Sequence, residues 1–164
     1  MNTTVINRDN LHLCNQTRFD GNLQIAENLG IIEFEDLNVR GNLIVGRGTF
    51  LVSKKNIKAG AGIEAGWGIK AGTGIEADTG IKAGTGIEAG TGIKAGTGIK
   101  AGDGIKAGTG IKAGTGIKAG DGIVVQFRCF AGLINWRLPT SEEQKIICKS
   151  FVGTIGSGEL VLTK

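Results

Sequence analysis

Between Ile57 and Ile123 the chain alternates apolar and polar positions with a fixed period of six. Isoleucine stands at 57, 63, 69, 75, 81, 87, 93, 99, 105, 111, 117 and 123, and the unit between them is close to Ile-(Lys/Glu)-Ala-Gly-Thr-Gly. A six-residue period fits neither the 3.6-residue helix nor a heptad. Two glycines per unit would also cost a helix roughly 1 kcal/mol each relative to alanine. Collagen is excluded by the spacing and by a proline content of one, Pro139. The pattern predicts a short strand per unit, turned at glycine-rich corners and stacked as a solenoid. Isoleucine suits the buried side of such a strand, and Gly60, Gly62 and their equivalents are expected to supply corner conformations that other residues resist.

The charged second position sets the number of units per coil. It reads Lys58, Glu64, Lys70, Glu76, Lys82, Glu88, Lys94. Two units per coil would stack like on like, whereas three place Lys58 on Glu76 and Glu76 on Lys94. Stacked strands lie about 4.8 Å apart, a distance at which like charges repel. The prediction is therefore three units, or eighteen residues, per coil. The fifth position agrees: it is mostly threonine, and its large or charged exceptions Trp67, Asp103 and Asp121 are separated by multiples of eighteen. They should line one edge of a triangular prism, with Thr85 between them.

Units such as Ile87-Glu88-Ala89-Gly90-Thr91-Gly92 resemble the hexapeptide-repeat family, whose pattern is an aliphatic residue, a small or acidic one, two free positions and then Ser/Thr/Ala/Val. Lysine in the second position departs from that pattern, as do Trp67, Asp103 and Asp121 in the fifth. The resemblance implies a left-handed triangular β-helix, an exception to the usual right-handed crossover. A fainter similarity links Phe130-Ala131-Gly132 and Trp136 to uncharacterised repeat proteins of phages and gut bacteria. It implies a host-directed inhibitor as the setting.

Flanking segments complete the expected fold, which is mainly β with a small α+β C-terminal cap. Residues 1–20 form a polar arm or cap, 21–123 the solenoid, and 124–164 the C-terminal cap. The six-residue phase extends back from Ile57 through Leu51, Val45 and Val39, so coils should start near residue 20 or 30. Gly21-Asn22-Leu23-Gln24-Ile25 and Gly41-Asn42-Leu43-Ile44-Val45 read as variants of one strand unit. Beyond the repeats, Val124–Phe130 alternates as a strand and Leu133–Arg137 as another. Thr140-Ser141-Glu142-Glu143 has capping-box spacing for one or two helical turns through Cys148. Residues 151–155 and 159–162, around a Gly-Ser-Gly turn, read as a closing hairpin.

Composition narrows the function. Thirty glycines, eight aromatics and no tyrosine exclude an ordinary packed globule. The polar start, Met1 to Leu13, lacks the apolar run of a signal peptide, and no stretch is long enough to span a bilayer. Three cysteines (Cys14, Cys129, Cys148) without metal-like spacing point to reduced core residues in a cytoplasmic protein, a Cys129–Cys148 bridge being the alternative. The net charge of +4 is concentrated late: residues 91–123 carry five lysines against Asp103 and Asp121, while residues 1–56 are balanced. A field of that sign favours anionic partners.

Catalytic chemistry is poorly represented. Acyltransferases of the hexapeptide family use a histidine base in a loop projecting from the coil; here the single histidine is His12, outside the repeats, and no loop is inserted. The carbonic anhydrases of that fold need several histidines. Asp103 and Asp121 alone make a poor calcium site, and the glycines do not open helices after strands, so no phosphate-binding loop is indicated. One threonine per strand, near a corner, does not give the paired flat array of an ice-binding face.

The expectation is a non-enzymatic, homo-oligomeric solenoid, trimer or dimer, without cofactor or metal. Its partner would be a protein or a small anionic ligand such as a nucleotide, with nucleic acid left open and membrane excluded. Candidate contact residues are Trp67, Lys106, Lys112, Lys118, Arg128, Trp136 and Arg137. The alternative is an acyltransferase-like enzyme with a non-standard active site.

Overall fold

Each hexad forms one short strand, from Ile57–Ala59 to Ile117–Ala119. Successive side chains on a strand point to opposite faces, so isoleucine and alanine turn inward and the intervening Lys or Glu outward. This computed structural model describes residues 1–134 and 137–164. Strands pair in parallel with an eighteen-residue offset: Ile57 lies beside Ile75, Ile75 beside Ile93, and Ile93 beside Ile111. Three units therefore close one coil, as the charges require.

The strands stack into three walls. Wall A runs through nine strands from Thr3–Ile6 to Glu159–Leu162 and includes Ile81–Ala83, Ile99–Ala101 and Ile117–Ala119. Wall B contains Ile57–Ala59, Ile75–Ala77, Ile93–Ala95 and Gly110–Ala113; wall C contains Ile69–Ala71, Ile87–Ala89 and Ile105–Ala107. The long strand Gly122–Phe130 belongs to both, since Ile123 pairs with Ile105 on wall C and Cys129 with Ile111 on wall B. One apolar cluster fills the prism from Ile6 to Cys148.

Hydrogen bonds between coils use the corner as well as the strand. The first-position N–H donates to the next coil (Ile75 N to Gly92 O, 3.0 Å), and the fourth donates to the coil before (Gly84 N to Ala65 O, 2.9 Å). The fifth does the same at the corner (Thr91 N to Thr73 O, 2.8 Å). Backbone polar groups that a thin core would otherwise strand are thus paired.

The glycines of the repeat act differently from expectation. Positive φ occurs at Gly30, Gly48, Gly132, Gly153 and Gly158, not at Gly60 or Gly62. What Gly60 supplies is close approach: a Cβ there would lie 2.3 Å from the Arg40 carbonyl oxygen of the preceding coil.

The backward phase holds for Leu51, which pairs with Ile69, but Val45 and Val39 pair with Ala65 and Ala59 in the third position. Leu43 and Leu37 occupy the isoleucine sites instead. The reason is the longer early corner: Leu43 to Ile63 is twenty residues, and a fixed count of six slips by two. Leu23 pairs with Leu43, so the two Gly-Asn-Leu units do occupy equivalent strands. Coils also start earlier than expected, because Thr3–Ile6 pairs with Asn22–Ile25. The 3-10 segment Arg8–Asn15 follows, and Leu13 and Cys14 pack from it against the end of the core.

At the other end the closing hairpin does not form. Ser150–Ser157 pairs in parallel with Gly122–Phe130, and Glu159–Leu162 with Lys145–Cys148. Stacking in this way extends all three walls and sets Phe151, Ile155 and Leu160 against the core; a hairpin would leave the preceding coil's edge unpaired. The Thr140 and Glu143 capping box is present, with Thr140 N donating to Glu143 Oε2 at 2.9 Å and Glu143 N to Thr140 Oγ1 at 3.4 Å. It opens only the single turn Glu142–Gln144, after which Ile146 is drawn into register with Ile117. Leu133, Ile134 and Arg137 are not in a strand, and the other two positions of that expected strand, Asn135 and Trp136, lie outside the described residues.

Candidate functional site

Second-position side chains form one outward column on each wall. In the first half these columns alternate in sign. Lys82 Nζ donates to Glu64 Oε1 at 2.7 Å on wall A. On wall B, Glu76 sits between Lys94 at 2.6 Å and Lys58 at 3.8 Å. On wall C, Glu88 sits between Lys70 at 3.5 Å and Lys106 at 3.8 Å. The Lys94 ammonium holds the Glu76 carboxyl below its ordinary range, and Glu76 in turn raises the Lys94 pKa.

Alternation then stops. Lys82, Lys100 and Lys118 stand in one register on wall A, and Lys94 stacks on Lys112 on wall B. Among the described residues Lys100, Lys112 and Lys118 have no carboxylate within ion-pair distance. Like charges at this separation are unfavourable, so the second half of the solenoid accumulates positive potential along its walls.

Beside each column runs an axial groove, bounded on one bank by the second-position stems and, on walls A and B, by corner threonines on the other. Sixth-position glycines form its floor. The wall A groove, about 590 Å³, is the largest of these three and holds Lys82, Lys100 and Lys118 opposite Thr79 and Thr97. Its C-terminal end is closed by Lys145, which pairs with Glu142. The grooves on walls B and C, about 410 and 340 Å³, contain the aromatic rings of Phe130 and Phe50 respectively.

The structure divides the predicted contact residues into separate places. Lys112 lies 6.0 Å over the Phe130 ring, a cation–π contact. Arg128 is in register with Gly110, and Lys106 with Val124. These three flank the corner between walls C and B, where Phe127 is 64% exposed. Lys118 belongs to wall A, with Lys100 and Lys82, which sequence reasoning did not single out although their eighteen-residue spacing was visible. Trp67, 45% exposed, heads the edge Trp67–Thr85–Asp103–Asp121, whose backbones bond from coil to coil. It stands three coils from Asp121 and does not join the lysines. Arg137 is committed to Glu143, donating to both carboxylate oxygens at 2.8 and 2.5 Å. Trp136 lies outside the described residues.

The groups considered for catalysis are scattered. His12 lies in the 3-10 segment Arg8–Asn15 at the opposite end from the lysine stack. Asp121 receives Lys149 Nζ at 3.0 Å, and among the described residues no three His, Cys, Asp or Glu side chains are placed to hold a metal ion. All three cysteines are free thiols, with Cys129 and Cys148 buried. Burial, and secondarily the nearby Cys148, pushes Cys129 up to about 12, the opposite of a reactive thiolate. No helix among the described residues is long and apolar enough to cross a membrane.

Compared with known protein families, with curated proteins and with solved structures, the chain matches none.

Proposed function

We propose that this chain is a non-enzymatic binding solenoid of the left-handed hexapeptide-repeat type, whose basic second half engages an anionic partner. The observation that carries the reading is the register of Lys82, Lys100 and Lys118. A solenoid selected only for stability would continue the Lys–Glu alternation of its first coils; a like-charge column is better accounted for by a partner that supplies the missing negative charge. The position of His12 far from this column supports a binding role over a transferase one.

In the same reading the protein is a cytoplasmic homo-oligomer, and a phage-type inhibitor that acts on a host protein or withholds an anionic nucleotide ligand. Self-association is supported by the exposed apolar side chains of Val152 and Leu162, 61% and 60% exposed. Native mass spectrometry of protein purified from its own host tests the central claim. An anionic species that stays bound in low salt and is released as salt rises is expected. Binding indifferent to salt, or no bound species with the lysine surface intact, would overturn it. Light scattering on the same sample reads the oligomeric state.

A further inference from the structure

The three grooves differ in one respect that bears on what they accept. Walls B and C interrupt theirs with Phe130 and Phe50, whereas among the described residues no aromatic side chain lines the wall A groove. Bound single strands of nucleic acid draw much of their affinity from base stacking on aromatic rings, and the described lining of wall A offers none. It offers instead the ammonium groups of Lys82, Lys100 and Lys118 on one bank, with Glu64 and Glu142 at the two ends each paired to a lysine, and the Thr79 and Thr97 hydroxyls on the other bank, repeated at coil spacing of about 4.8 Å. Ammonium groups of lysine bind phosphate as point charges.

Resting on the anionic-partner reading above, we infer that the wall A groove binds an unbranched, base-free polyanion, a linear inorganic polyphosphate chain, laid parallel to the solenoid axis. Its phosphates bridge Lys82, Lys100 and Lys118 and accept hydrogen bonds from Thr79 and Thr97, with the Lys145–Glu142 pair marking the end of the track. The chain neutralises a column that has no carboxylate beyond Glu64. Straight, regular banks and a glycine floor suit a linear ligand better than a compact one. The groove also spans several coils, more than one nucleotide would need.

Lys100→Glu separates binding from folding. It continues the alternation begun by Glu64 and Lys82, setting a carboxylate between Lys82 and Lys118. The coil stack therefore keeps or gains thermal stability while the track loses its central charge. Calorimetric titration with a short linear polyphosphate should show Lys100→Glu weakening binding by about tenfold or more, with an unchanged or higher Tm. Arg47→Glu carries the same charge change on an exposed corner in the first half and should stay within about twofold of the parent. Equal losses in both variants, or none in Lys100→Glu, would overturn the groove assignment. Single-stranded DNA competing as well as polyphosphate at equal phosphate would overturn the base-free specificity. If polyphosphate does not bind while native mass spectrometry still finds a salt-released anion, the ligand class is wrong and the broader reading stands; if neither is found, both fall.

Discussion

Gly120 lies directly against the carbonyl of Gly102, one coil earlier, so closely that a Cβ on Gly120 would stand 1.8 Å from that oxygen. The same holds for Gly108 beneath Gly90 at 2.0 Å, but not for the sixth-position Gly86, where the nearest atom is 3.5 Å away. The two glycines of each unit are therefore unequal. Asp78 is the one fourth-position side chain inside the perfect repeats, and its N–H still reaches Ala59 O at 3.2 Å, so a coil can shift to admit one Cβ.

Gly108→Ala should accordingly destabilise by about 1–3 kcal/mol, the usual cost of overpacking, while Gly86→Ala should stay within about 0.5 kcal/mol of the parent. Denaturant unfolding of the two variants checks this. Equal losses would show that the corners, not the coil-to-coil contact, demand glycine.

Charge order along a wall should be measurable as stability. Glu76→Gln removes the carboxylate between Lys58 and Lys94 and should lower stability by about 0.2–1 kcal/mol. The effect should shrink in high salt, since these groups are solvent-facing. A Glu76→Gln loss that is independent of salt would mean that packing, not charge, is responsible.

Acid should leave the C-terminal turn's capping contact closed well below the ordinary glutamate range. Arg137, then the Thr140 N–H, hold the Glu143 carboxyl at about 2. A depressed carboxyl contributes stability that is full above the ordinary glutamate value of about 4.3 and is lost as pH falls through the folded value. The Thr140–Glu143 box should therefore persist at pH 3 and open near pH 2. Carbon-detected NMR titration of Glu143 reads it directly, and a midpoint near 4 would contradict the geometry.

Thiol chemistry should report the core. Cys129 and Cys148 are buried and Cys14 partly so, and burial raises all three pKa values. At neutral pH a thiol reagent should modify Cys14 slowly and leave the other two until the protein unfolds, when all three cysteines titrate. Fast labelling of Cys129 in native protein would place the C-terminal coils differently.

Trp67→Thr places the residue usual at the fifth position next to Thr85 on that edge. Because Trp67 projects at a corner and is 45% exposed, monomer stability should change by no more than about 0.5 kcal/mol. If Trp67 is a contact residue, as its exposure suggests, sedimentation or ligand titration will move while the monomer's unfolding curve does not.

Periodicity alone determined the coil. Ile57, Ile75 and Ile93 can share a core only if their backbones stack, and Lys58, Glu76 and Lys94 can stack comfortably only at three units per turn. Both facts are local and repeated, so the sequence states them many times over. The edge of Trp67, Thr85, Asp103 and Asp121 follows from the same arithmetic. What tertiary structure decided lies where repetition lapses. Val45 and Val39 looked like isoleucine equivalents until the longer early corners shifted them to alanine sites. Residues 150–162 have hairpin chemistry, yet the unpaired edge of the preceding coil draws them into parallel strands. Likewise Lys100 is an ordinary lysine in sequence, and Lys118 a contact candidate with no column around it. Only the register that sets them in line with Lys82 makes a like-charge column of them, because a charge column is a property of stacked coils and not of any one unit.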